Sequence, residues 1–173
     1  LTDLANLAHR HDSILIADAV TSLGGQEFKM DQWDIDIAYS ASQKCLAAPP
    51  GLAPLSIGSR AEKLIKERKT PVQSFYLNLG NLETYWSGNQ TRVYHHTAPI
   101  SMIYALRESL RMAMEEGIEN RILRHARNAA ALRAGLESLG LALFADPDHR
   151  LNPLTAVLAP EGVDEAHVRR RLL

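Results

Sequence analysis

The chain has 173 residues, enough for one ordinary domain or one and a part. Its 46% hydrophobic and 23% charged residues are the balance of a soluble globular protein. A net charge of -1 gives no reason to expect a nucleic-acid or anionic-membrane partner, since such binding is driven by concentrated positive charge.

Residues 2–11 carry apolar positions at helical spacing (Leu4, Ala5, Leu7, Ala8) and predict a short amphipathic helix. The run Ile14-Leu15-Ile16-Ala17 follows and ends at Asp18, which suits a strand buried on both faces of a parallel sheet. Gly24-Gly25 marks a turn. Ile35 to Tyr39 predicts a second strand, ending in the polar cluster Ser40 to Lys44, and Pro49-Pro50-Gly51 breaks the chain before a third strand, Leu52 to Ile57. Polar groups gathered at strand ends point to an open α/β sheet, in which ligands bind beyond the carboxyl ends of the strands.

Ser59 and Glu62 have the spacing of a capping box for a helix running to about Lys69, with Pro71 beyond it. A short helix is expected over 76–86, then a polar loop from Ser87 to Thr97. Pro99 opens a long helix with apolar Ile103, Leu106, Leu110 and Met114, stopped by Gly117. A second long helix spans Ile118 to Leu139 and ends at Gly140. The cations between Arg121 and Arg133 read as its solvated face. Two short strands (Leu141 to Phe144, Leu154 to Leu158) and a helix from Asp164 complete the chain. A boundary near Gly117 divides 1–116, part of a larger sheet domain, from 117–173, the start of a smaller α/β domain. Both ends fall inside helical patterns, so the sequence reads as a fragment cut from a longer protein.

The common catalytic signatures are missing: there is no G-x-S-x-G, G-x-G-x-x-G, G-x-x-x-x-G-K or H-E-x-x-H. One cysteine, Cys45, excludes an internal disulfide and a four-thiolate zinc site. It fits a reducing compartment. No apolar run approaches the roughly 18 residues that cross a bilayer, and no signal-peptide pattern opens the chain. Adjacent His95 and His96 are expected to point in different directions, which leaves them packing or hydrogen-bonding roles and no metal.

Asp18 and Lys44 remain, each expected at the carboxyl end of a buried strand. A Schiff-base lysine must be neutral to attack a carbonyl, which requires desolvation or neighbouring charge. The commoner reading of a strand-end lysine is one reaching for solvent, and aspartate often ends a strand as a turn residue. On spacing alone both readings stand.

Three segments taken together narrow the choice: Asp18-Ala-Val-Thr-Ser-Leu-Gly-Gly25, Tyr39-Ser-Ala-Ser-Gln-Lys-Cys-Leu-Ala-Ala-Pro-Pro-Gly51 and Tyr94-His-His-Thr-Ala-Pro99. They resemble the class V aminotransferases, specifically the alanine–glyoxylate (serine–pyruvate) group. Arg68 to Pro71, Ser74 to Leu77 and Leu106 to Leu110 match the same group, and the likeness covers somewhat less than half of a full family member.

The resemblance implies the major domain of a pyridoxal-phosphate-dependent transferase, an α/β/α sandwich with a mostly parallel sheet, and pyridoxal 5'-phosphate as cofactor. It implies transamination from alanine or serine to glyoxylate or pyruvate. Lys44 would hold the cofactor and shuttle the substrate proton. Asp18 would pair with the ring nitrogen, Val20 would pack on the ring face, and Gln43 would contact the phosphate or ring-hydroxyl region. Tyr94 and Thr97 would reach the cofactor of the other subunit of a homodimer.

The family's phosphate loop and ring-stacking aromatic lie before Leu1, and its substrate-carboxylate arginine lies after Leu173, so the isolated chain is expected to be inactive. Cysteine desulfurases of the same fold carry a histidine where Gln43 stands, and Cys45 is expected to be a small packing residue. A phosphonate-handling aminotransferase and a non-catalytic truncated product also stand beside the transaminase reading. The expected compartment is the cytoplasm, or the peroxisome in a eukaryote.

Overall fold

The computed structural model describes residues 1–87 and 93–172, so 88–92 of the expected polar loop and Leu173 lie outside the described residues. Helix α1 (Thr2–Arg10) precedes strand β1 (Ile16–Asp18), β2 (Ile37–Tyr39) and β3 (Leu55–Ile57). Helices α2 (Ser59–Lys66), α3 (Leu79–Trp86), α4 (Ile100–Glu116) and α5 (Ile118–Ser138) follow, then a 3-10 turn (Pro147–His149) and α6 (Glu165–Leu172).

The strands lie in the order β1-β2-β3. β1 and β2 are parallel, with Asp18 opposite Tyr39. β3 is antiparallel to β2, with Tyr39 opposite Leu55. The described sheet is therefore mixed, where a mostly parallel one was expected. Residues 40–54 contain no helix, and without a crossover the chain can only turn back along the strand it has left. β1 also departs from expectation. Ala17 is buried while Ile16 and Asp18 are exposed, so burial alternates instead of covering both faces. The core on the covered face is Ala17, Ile35 and Ala38, walled by Leu15, Phe28, Met30 and Trp33.

Asp36 fastens the amino end of the sheet. Its buried carboxylate accepts from the Leu15 amide at 2.7 Å and lies 2.8 Å from His9 Nε2 and 3.4 Å from Arg60 Nε. One side chain thus ties α1, β1 and α2 to the start of β2.

The helix ends depart from their local signals in several places. The capping box is not formed. Gly58 is the N-cap of α2, Ser59 is its first helical residue, and Glu62 pairs instead with Lys66 one turn on. α2 also ends earlier than expected. The N-cap of α3 is Asn78, whose side chain accepts from Gly80 and Asn81 amides. Gly117 sits between α4 and α5 at φ 81°, a left-handed conformation that costs glycine little. The two late strands reduce to one antiparallel bridge, Leu143 with Val157. Among the described residues no helix is long and apolar enough to cross a membrane.

Candidate active site at the carboxyl end of the sheet

β1 and β2 run parallel, so both chains leave the sheet at the same end. The first exit carries Asp18 and Val20. Asp18 accepts a hydrogen bond from the Val20 amide at 2.9 Å, a turn that starts the loop 19–26. The Asp18 carboxylate is exposed and acts on its cross-strand partner. Its hydrogen bond to Tyr39, aided by desolvation and charge repulsion, holds the phenol above its ordinary 10.0.

The second exit carries Gln43 and Lys44. Lys44 does not stand at the strand end itself; it lies in a turn over 42–46, beyond Tyr39. Backbone pairing continues past β2, through Ser40 N to the Pro54 carbonyl and Ser42 N to the Leu52 carbonyl. The wholly buried Ser42 hydroxyl donates to the Pro49 carbonyl at 2.7 Å. Ala47, in the left-handed region at φ 58°, donates its amide to the Lys44 carbonyl at 2.8 Å. The turn is therefore held in part by its own backbone, while the Gln43 and Lys44 side chains are exposed. Lys44 makes no ion pair among the described residues.

The two exits are bonded to each other. Ser40 Oγ donates to the Ala19 carbonyl at 3.1 Å, and Cys45 Sγ donates to the Thr21 carbonyl at 3.4 Å. Gly25 lies so close that an added Cβ would meet Cys45 Sγ at 2.8 Å and Pro153 Cγ at 2.7 Å. Cys45 is thus a packing residue at this junction, as expected, and burial pushes its thiol pKa up against the opposing charge of Arg121. Ser109, on α4, donates to the Leu46 carbonyl from behind the turn.

Arg121 is the residue that sequence reasoning missed. It is buried, not solvated: Nε donates to the Gly24 carbonyl at 3.1 Å and Nη2 to the Cys45 carbonyl at 2.5 Å. Nη1 pairs with Glu116 at 3.0 Å. Helical periodicity put it among other cations, and no local signal marks a guanidinium whose acceptors lie 97 and 76 residues away.

Tyr94 and Thr97 are brought together, hydroxyl to hydroxyl, at 2.6 Å. Between them His95 is buried and stacked on Phe75 at 4.8 Å between ring centroids. The two histidines do not diverge as expected, for their Nδ1 atoms lie 2.8 Å apart. Among the described residues His95 Nε2 also reaches the Phe75 carbonyl, and Tyr85 donates to the His96 carbonyl. An apolar cavity of about 490 Å³ nearby is lined by Leu55, Ile57, Ile65, Leu82, Trp86 and His96, none of them from the two strand exits.

The sheet end therefore offers an exposed primary amine and an exposed carboxylate from adjacent, mutually bonded loops. That donor set fits pyridoxal phosphate, whose aldehyde takes an amine and whose ring nitrogen takes an anionic partner. The Aminotransferase class-V family pattern matches residues 1–172, and the chain belongs to that family.

Among its relatives, alanine–glyoxylate aminotransferase of Callithrix jacchus is 45% identical over 95% of this chain and 40% of its own length. (S)-ureidoglycine–glyoxylate transaminase of Bacillus subtilis is 38% identical over 100% of this chain and 45% of its own. The crystal structure of alanine–glyoxylate aminotransferase from Nostoc superposes with TM-score 0.92 at 44% identity, covering 98% of this chain and 45% of that one. The chain thus spans less than half the length of these relatives.

Proposed function

We propose that the protein carrying this chain is a pyridoxal-phosphate-dependent transaminase moving an amino group from alanine or serine to glyoxylate or pyruvate. The observation that carries the reading is the Lys44 turn, a rigid backbone presenting an exposed amine beside the loop of Asp18. When bound, the cofactor supplies an aldehyde and an electron-accepting ring. Every other role falls to side chains of the protein. Lys44 Nζ would hold the cofactor and, once the substrate amine has displaced it, the freed amine would carry the proton from the substrate α-carbon to the cofactor's C4′ carbon, as general base and then acid. Asp18 keeps a proton on the ring nitrogen, Val20 packs on the ring face, and Gln43 contacts the phosphate or ring-hydroxyl region.

Tyr94 and Thr97 form a hydroxyl pair suited to a phosphate, and in this reading they serve the cofactor of the other subunit of a homodimer. The division at Gly117, between a larger domain and the start of a smaller one, and a cytoplasmic or peroxisomal site belong to the same reading. Glyoxylate is named as substrate for both the alanine and the ureidoglycine relatives, so the acceptor is better supported than the donor.

Borohydride reduction of the protein carrying this sequence, purified with its cofactor, is expected to label Lys44 and no other residue. A label elsewhere, or none, overturns the assignment. Alanine, serine and ureidoglycine compared as donors to glyoxylate then fix the substrate, and no turnover with any of them overturns the transaminase reading.

A further inference from the structure

We infer that Arg121 is a positioning residue for the cofactor lysine, acting through the backbone on both sides of the site. The inference rests on the proposed role of Lys44 and adds to it the group that holds Lys44 in place.

A buried guanidinium is costly unless its charge and its five N–H donors find partners. Arg121 meets that demand in one particular way. Its charge is met by Glu116, and two of its remaining arms go to main-chain carbonyls of different loops. One is the carbonyl of Gly24, in the loop that leaves β1 after Asp18; the other is the carbonyl of Cys45, the residue directly after Lys44. A planar fork that bonds both loops fixes their separation as well as their individual shapes. A carbonyl bond one residue from Lys44 also limits rotation of the Lys44 backbone, which sets where the amine can reach. The Cys45-to-Thr21 contact and the Ser109-to-Leu46 bond support the same turn from other sides, but neither bridges both loops with charge-assisted bonds.

Two features separate this from a helix salt bridge that happens to be buried. Arg124 also pairs with Glu116, and it does so at the surface without touching either loop. Losing Arg124 removes part of the ion pair and leaves every bond between the loops; losing Arg121 removes their charge-assisted bridge and leaves the Ser40 and Cys45 contacts. Lysine at 121 would keep a charge near Glu116 but cannot present donors in two fixed directions.

The test uses the holoprotein, well below the melting temperature of each variant. The rate and yield of borohydride labelling at Lys44 are read with saturating cofactor, together with the rate of cofactor loss. Arg121→Gln is expected to label at least about ten-fold more slowly and lose cofactor faster, since a displacement on the order of 1 Å costs that much or more. Arg121→Lys should recover part of the labelling rate, and Arg124→Gln should match the wild type. Turnover should fall in kcat more than it changes KM.

Wild-type labelling at Lys44 with unchanged rates in both Arg121 variants overturns this inference alone. Absence of the Lys44 label in the wild type overturns the proposed function, and this inference with it. Should Arg121→Gln fail to fold, Arg121→Lys decides: a labelling rate equal to that of Arg124→Gln overturns the positioning role.

Discussion

Cys45 Sγ donates to the Thr21 carbonyl at 3.4 Å, so the residue after Lys44 is fastened to the loop that follows Asp18. Strand pairing brings the two exits side by side, and this contact, with the Arg121 fork, joins them beyond the sheet. Both loops must keep their spacing if an amine and a carboxylate are to serve one ligand.

The junction leaves no room at Gly25. Gly25→Ala is expected to destabilise the protein by about 1–3 kcal/mol, the usual cost of forcing extra carbon into a packed site. Its Cβ would meet both Cys45 Sγ, at 2.8 Å, and Pro153 Cγ, at 2.7 Å. Adding Cys45→Ala should restore part of that loss, because one of the two clashes disappears. Urea unfolding of the single and double variants measures both effects, and a Gly25→Ala protein as stable as the wild type refutes the packing account.

The Cys45 thiol itself reports on that packing. Burial disfavours the thiolate and raises the pKa above 9.0, while the charge of Arg121 only partly opposes it. Alkylation should therefore be slow at neutral pH and reach half its limiting rate at a higher pH than a free cysteine peptide does. A midpoint at or below that of the peptide would mean an open thiol.

The sequence made the helices and the Lys44 segment readable because their signals are local: periodicity, Gly117, Pro99 and the Ser-Gln-Lys block each sit within one element. What escaped was non-local. The direction of β3 depends on how residues 40–54 return to the sheet, and a hydrophobic run such as Leu52 to Ile57 has no direction of its own. Ser59 matched a capping pattern, yet Gly58 took the position because its amide bonds back to the Asp36 carbonyl at 2.7 Å. Arg121 shares its helix face with surface cations and differs only in what the loops place above it.

Glu116 couples that helix pair to pH. Hydrogen bonds from Arg124 and Arg121 hold its carboxyl at about 2, below its ordinary 4.5. A depressed pKa means that the folded state releases this proton more readily than the unfolded chain does. The stabilisation is full above pH 4.5 and fades as the pH falls from 4.5 toward 2. Glu116→Gln should be less stable than the wild type at neutral pH, and the two should converge across that interval. Thermal melts at a series of acidic pH values check this; parallel curves would show that the ion pair contributes nothing.

Tyr39 offers a direct readout of Asp18. The phenol is held above 10.0 chiefly because it bonds the Asp18 carboxylate, and ionising it would place two negative charges together. Asp18→Asn removes the charge and should lower the tyrosine midpoint toward 10.0, seen in the pH titration of tyrosinate absorbance with Tyr39→Phe as the reference. An unchanged midpoint would mean that the carboxylate points away from the strand pair, which would also weaken its proposed role at the cofactor ring.

The amino end of the sheet carries the largest expected loss. Asp36 is buried and serves the Leu15 amide, His9 and Arg60 at once. Asp36→Ala strips an acceptor from a buried amide and leaves His9 without its closest partner, so about 3–5 kcal/mol should be lost, as when one side of a buried pair is removed. Asp36→Asn keeps an oxygen for the Leu15 amide while giving up the charge and the acceptor facing Arg60, so it should cost less, about 1–3 kcal/mol. The order of the two variants is the informative part. If Asp36→Asn proves as damaging as Asp36→Ala in urea unfolding, then charge is what holds this end, through His9 and Arg60. If it is markedly milder, the bond to Leu15 dominates and the two basic partners are secondary.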